Sequence, residues 1–279
     1  MRLGTIDNPP HTSPDEWAEK LHFLGVRSVV LPCGENTPGA LLDRYLAVCR
    51  EMNWTIAEVG AWSNPCSKDP EEAEKSRNYC KRQLAFADHI GARCCVNIAG
   101  TNGGPQWDGP YLDNYGRDAI KRVRDSVCEI IDSVKPTRTF YTLEPMPWMI
   151  PDSPEQYLEL IEAVSNERFA VHMDLVNMIS SPKRYFFNRD FMDRSFRLLK
   201  GRIRACHVKD VKIGDKLTLH LSEVPCGEGN IDLRHYAELA TAEDPDMPFL
   251  IEHLDSWNAY EASFRFLSSH LGVERIVES

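Results

Sequence analysis

Eight times along the chain, a short run of β-branched and apolar residues is followed by a longer segment with apolar residues at helical spacing. The strand-like runs are Arg2–Ile6, Ser28–Leu31, Thr55–Trp62, Arg93–Ala99, Thr139–Glu144, Phe169–Asp174, Ile203–Val208 and Pro248–His253. The segments between them carry helix-start signals. Ser13-Pro14-Asp15-Glu16 offers a capping hydroxyl, a proline where its missing N–H is not needed, and acids at the positive end of the helix. Ser153-Pro154-Glu155 repeats the pattern and opens a helix to Val164. Further helices are expected near Pro38–Met52, Pro70–Ile90, Asn114–Val134, Arg189–Leu199, Leu233–Ala240 and Ala259–His270. Units of about 35 residues suit strand–helix–strand crossovers, and eight in succession predict an α/β fold closed into a (β/α)8 TIM barrel. An open doubly wound sheet would want a glycine-rich phosphate turn after the first strand, where this chain has Asp7-Asn8-Pro9-Pro10. Gly100-Thr101-Asn102-Gly103-Gly104 lacks the Lys-Ser/Thr ending of a phosphate loop, which leaves a substrate-facing loop or a plain connection. No linker or low-complexity stretch divides the pattern, so residues 1–279 read as one domain.

Charge and cysteine usage narrow the partners. The formal net charge of −10 argues against a nucleic-acid backbone as partner. No apolar segment approaches membrane-spanning length, and the start MRLGTIDNPP does not read as a secretory signal, so a cytoplasmic protein is expected. The nine cysteines are scattered with no Cys-x-x-Cys pair, which favours reduced, buried thiols over disulfides or a zinc ribbon. Homo-oligomerisation is left open.

A barrel of this kind builds its active site at the C-terminal ends of its strands. Strand five ends Leu143-Glu144-Pro145, strand six Met173-Asp174, strand seven Cys206-His207-Val208-Lys209-Asp210 and strand eight Ile251-Glu252-His253. Any one of these side chains alone would read as solvated or as hydrogen-bonded core. Together, three carboxylates on one rim repel one another, and a bound divalent cation resolves the repulsion. An oxygen-rich set with a single imidazole favours Mn²⁺, with Mg²⁺ or Co²⁺ as alternatives, over structural Zn²⁺.

The set Glu144, Asp174, His207 and Glu252, with His-Val-Lys-Asp at 207–210 and Gly-Glu-Gly-Asn-Ile-Asp at 227–232, resembles the sugar phosphate isomerase/epimerase superfamily. This xylose isomerase-like group includes D-tagatose 3-epimerase, inosose dehydratase, inosose isomerase, hydroxypyruvate isomerase and endonuclease IV. The resemblance covers essentially the whole chain. It implies that Glu144, Asp174, His207 and Glu252 hold the metal, and that Glu144 and Glu252 are the catalytic proton-transfer pair. Such chemistry removes a proton beside a carbonyl and stabilises the resulting enediolate with a cation. The chain departs from the ketose-epimerase pattern at two positions. Asn177 stands where those enzymes carry His, three residues after the strand-six Asp, and Ile213 where they carry Arg, six after the strand-seven His.

Candidate substrate-binding residues are Lys209, His172, Asn177, Glu58, Asn97 and Trp107, with Trp62 and Trp148 in neighbouring loops. Lys209 can supply a positive group or pair with Asp210 or another rim acid. His172 shares strand parity with Asp174 and should point inward one layer deeper. The expected activity is a metal-dependent isomerase or epimerase acting on a small carbohydrate, a sugar or cyclitol ketone. A lyase on the same scaffold is the alternative, either an inosose-type dehydratase or an enzyme cleaving 3-oxo-glycosides by β-elimination. An apurinic endonuclease would want more histidine ligands, and a non-catalytic barrel is disfavoured because all four ligands are present.

Overall fold

The computed structural model describes residues 1–116 and 118–273. The strands in chain order are β1 (Arg2–Thr5), β2 (Ser28–Val29), β3 (Thr55–Ile56), β4 (Glu58–Gly60), β5 (Cys94–Asn97), β6 (Tyr141–Leu143), β7 (Phe169–Asp174), β8 (Ile203–Val208), β9 (Asp210–Ile213), β10 (Leu221–Val224) and β11 (Pro248–Ile251). The helices are α1 (Pro14–Leu24), α2 (Gly39–Glu51), α3 (Pro70–Ile90), α4 (Ala119–Val134), α5 (Pro154–Val164), α6 (Pro182–Phe186), α7 (Asn188–Leu198), α8 (Leu233–Glu243) and α9 (Trp257–Leu271). Nine strands form one parallel sheet in the order β3-β2-β1-β11-β8-β7-β6-β5-β4. Its two end strands, β3 and β4, are separated along the chain by Ala57 alone. The expected strand Thr55–Trp62 is thus present as two pieces. Ala57 still donates to Val29 O at 2.8 Å, and Ala61 donates to Val96 O at 2.7 Å, as the run passes from one neighbour to the other. The strands follow one another as parallel neighbours, as the eightfold alternation predicts.

The helices start where the sequence signals them. Ser13, Ser153, Ser181 and Ser256 each accept a backbone N–H of the first turn. The Glu16 carboxylate reaches back to the N–H of Thr12, the residue before the Ser13 cap, at 2.8 Å. Three elements differ from expectation. Residues Leu112–Tyr115 form a 3-10 turn, and α4 starts only at Ala119; Arg117, inside the helix expected from Asn114, lies outside the described residues. α6 is an additional short helix. β9 and β10 form an antiparallel hairpin within what reads as a long connection.

Close contacts divide the chain into two compact units. One comprises Met1–Ala57, Ile179–Asp193 and Cys206–Ser279. Its core includes Leu3, Trp17, Leu21, Tyr45, Trp54, Tyr236 and Phe249, and Trp17 meets Tyr45 and Trp54 edge-on at 5.2 and 5.4 Å. The other comprises Glu58–Met178 and Arg194–Ala205, packed on Leu84, Val96, Ile130, Tyr141, Leu143, Tyr157 and Phe169. There the buried Tyr157 hydroxyl donates to Leu143 O and accepts the His172 N–H at 3.2 Å, stitching α5 to β6 and β7. All nine cysteines are free of disulfides, and burial pushes the thiols of Cys49, Cys66 and Cys226 up to about 12. Among the described residues, no helix is long and apolar enough to cross a membrane.

Candidate metal centre

β6 and β7 position two of the expected carboxylates. Glu144 directly follows β6, and its N–H donates to Asn97 O at 2.7 Å, so it keeps the line of the strand. Asp174 is the last residue of β7. Both are buried. Asn177, in a 3-10 turn after β7, joins them. Its backbone N–H donates to Asp174 Oδ1 at 2.9 Å, and its side-chain amide donates to Glu144 Oε1 at 2.9 Å. Deeper in the same strand, His172 Nε2 lies 2.8 Å from Glu58 Oε2, both fully buried.

β8 and β11 position the other two. His207 stands opposite Leu250 in the parallel register, and Glu252 directly follows β11. His207 Nδ1 lies 2.9 Å from Glu252 Oε2, and Lys209 Nζ lies 2.6 Å from Glu252 Oε1. Burial pushes the Glu252 carboxyl up, but the neighbouring His207 and Lys209 outweigh it and hold the group well below the usual carboxylate range. Glu223, carried in by β10, lies 2.9 Å from His253 Nδ1 and 3.4 Å from Lys209 Nζ. The bond to Glu223 raises the His253 imidazole.

One ligand atom from each of Glu144, Asp174, His207 and Glu252 lies within 4.8 Å of the other three. A second group sharing His207 adds Glu58 and His172. Three buried carboxylates that close, with one imidazole, suit a divalent cation in both charge and donor chemistry.

Residues 18–270 match the family described as xylose isomerase-like TIM barrel. The chain belongs to that family. Solved structures similar to this TIM-barrel protein share its fold at low identity. They include the probable 3-DHS dehydratase AsbF of Bacillus anthracis, involved in petrobactin synthesis, with a TM-score of 0.73, 15% identity, and 96% of this chain and 99% of that one covered. The apo form of 3-keto-D-glucoside 4-epimerase, YcjR, of E. coli has a TM-score of 0.68, 15% identity, and 96% and 99% covered. A xylose isomerase-like TIM barrel protein of Mycobacterium smegmatis, in complex with magnesium, has a TM-score of 0.62, 16% identity, and 93% and 90% covered. No curated protein matches the chain.

The remaining candidates fall in different places. Lys209 pairs with the rim acid Glu252 at 2.6 Å. Glu58, expected near hydroxyls, is engaged by His172. Asn97 is buried, accepting from the Ser63 N–H at 3.2 Å and donating to Ser63 O at 3.2 Å, so its amide holds the loop after β4. Ile213 pairs with Leu221 in the hairpin. Trp107 is half-buried, and Trp148 donates to Asp108 O at 2.6 Å. The glycine-rich loop is a built structure. Asn64 and Thr101 exchange two bonds of 3.0 Å, and Thr101 donates to Asn114 at 2.5 Å. The Asn114 amide in turn donates to Gly109 O and Trp148 O, both at 2.9 Å. Gly100 has φ +79, and a Cβ there would strike Asn64.

Sequence reasoning missed three rim residues. Asp210 accepts the N–H groups of Val211 and Ile231 on one oxygen and of Gly227 and Gly229 on the other, at 2.9–3.0 Å. A Cβ at Gly229 would collide with that carboxylate. The spacing of His-Val-Lys-Asp and Gly-Glu-Gly-Asn-Ile-Asp held this signal, an acid facing a glycine turn. Glu223 and His253 gave none, because the hairpin that brings them together was read as a loop.

Proposed function

We propose that this barrel is a divalent-metal-dependent isomerase or epimerase of a sugar or cyclitol ketone, acting by proton abstraction through an enediolate. The observation that carries the reading is the convergence of Glu144, Asp174, His207 and Glu252, all buried, with their ligand atoms within 4.8 Å. The epimerase and the magnesium complex among similar structures support it. Glu144, Asp174, His207 and Glu252 would hold the ion. A divalent cation supplies electrostatic stabilisation of negative charge developing on a substrate oxygen. Glu144 takes or returns the proton beside the carbonyl, with the Asn177 amide fixing which carboxylate oxygen faces the substrate. Glu252 serves the opposite proton transfer, oriented by His207 and Lys209. Burial of all four excludes water that would compete for the proton.

A lyase reading is favoured by the two departures from the epimerase pattern. The Asn177 amide is spent on Glu144, and Ile213 is locked in the hairpin. Lys209, beside Glu252, places a cation where a departing oxygen needs a proton.

The test is incubation with free ketoses and inososes in D2O with added Mn²⁺. Isomerisation gives a product carrying solvent deuterium at the carbon beside the carbonyl. Elimination gives a product lighter by water or by an aglycone. Glu144→Gln or Glu252→Gln should lower turnover roughly 10²–10⁴-fold or more. An isomerised product without deuterium would refute proton abstraction.

A further inference from the structure

We propose that Glu223, His253 and Lys209 form a subsite for uncharged vicinal hydroxyls, so that the substrate of this centre is an unphosphorylated polyol ketone. This deepens the isomerase or lyase reading and rests on it.

Together with Glu252, the three groups are interleaved in charge. Lys209 Nζ lies between Glu252 Oε1 at 2.6 Å and Glu223 Oε1 at 3.4 Å. His253 lies between Glu223 Oε2, 2.9 Å from its Nδ1, and Glu252 Oε2, 3.5 Å from its Nε2. Lys209 Nζ and His253 Nδ1 are 3.2 Å apart. Exposure divides them into an inner and an outer pair. The Lys209 and Glu252 side chains are each 2% exposed, whereas Glu223 is 40% and His253 54% exposed. The outer pair is therefore open to a ligand, while the inner pair joins it to a carboxylate of the candidate metal centre.

His253 has φ +55, a left-handed backbone uncommon for a residue with a side chain. Such conformations persist where the surroundings enforce them and gather at functional sites. Here the residue directly follows Glu252.

Lys209 and His253 each already face carboxylates on both sides. A phosphate entering the subsite would meet the exposed Glu223 carboxylate as a like charge, beside Lys209 and His253 that already face carboxylates. A hydroxyl both donates and accepts. One hydroxyl can donate to Glu223 while accepting from His253, and its neighbour can do the same beside Lys209. The alternation of donors and acceptors thus matches adjacent hydroxyls of a sugar or cyclitol.

The test is calorimetric binding to the full chain with Mn²⁺, using free ketoses and inososes and the phosphate ester of each. The free compound of the best-binding pair should bind at least about tenfold tighter than its ester. Glu223→Gln, which keeps the shape and removes one carboxylate, should shrink that ratio by about tenfold. His253→Asn, chosen because asparagine tolerates the same backbone, should weaken the free compound with an unchanged circular dichroism spectrum. An ester that binds as tightly as its free partner, a ratio unmoved by Glu223→Gln, or no binding by any member of the set would overturn the subsite. A free compound that binds as expected but exchanges no deuterium would count against the proton-abstraction chemistry instead, so the two failures are distinct.

Discussion

A carboxylate surrounded by backbone N–H groups is a rigid joint, and Asp210 accepts four of them while 1% exposed. It ties the turn at Gly227–Ile231 to the start of β9, immediately after Lys209. Asp210→Ala strands those donors and should cost about 2–4 kcal/mol in urea unfolding, on the scale of buried bonds to a charged group. A loss below about 0.5 kcal/mol would show that the joint is dispensable. Asn177 is a second joint, holding Glu144 and Asp174 together. Glu144, Asp174, His207 and Glu252 could be picked from the sequence as candidates because each lies at the end, or one residue before the end, of a strand-like run. Lys209 was legible only as a choice between substrate and salt bridge, since a side chain's partner is set by what the fold brings opposite it. Glu223 illustrates the limit: its role depends on a hairpin register that no local pattern announces.

The ties between elements are small and separable. Near the end of α3, Asp88 accepts the N–H groups of Thr137, Arg138 and Thr139 at 2.6–3.1 Å, holding the chain that enters β6. Partial burial pushes its carboxyl up, but the three backbone bonds outweigh that and lower it below its ordinary value of 3.8. A carboxyl lowered on folding stabilises the protein above its unfolded pKa and loses that contribution as pH falls through the folded one. Asp88→Asn should therefore flatten the fall in melting temperature below about pH 4, with little change in slope near neutrality. An unaltered acid limb would contradict this. Most helices were legible for a physical reason: Ser13-Pro14 and Ser153-Pro154 pair a capping acceptor with a residue preset for the first turn. Ser181-Pro182 carries the same pair and marks α6, which the broader apolar pattern obscured. The hairpin was not legible, because Lys212, Ser222 and Glu223 give it too little apolar alternation to stand out from a polar connection.

The TIM-barrel family fold agrees with the repetition of eight strand–helix units, and the interruption at Ala57 does not alter the strand order. What repetition does not determine is the chemistry, since many reactions share this architecture. A cation that binds only the folded chain stabilises it by mass action, about 2.7 kcal/mol at a hundredfold excess over its Kd. Mn²⁺ should accordingly raise the melting temperature of the wild type in a concentration-dependent way and leave Asp174→Asn nearly unmoved. The decisive experiment is a Mn²⁺ titration of the wild type and Asp174→Asn followed by electron paramagnetic resonance. One ion should bind per wild-type chain, and Asp174→Asn should weaken it by more than the roughly 10–100-fold typical of losing a supporting hydrogen bond. Equal binding by the two proteins, or no stoichiometric binding by the wild type, would contradict a metal centre built from Glu144, Asp174, His207 and Glu252.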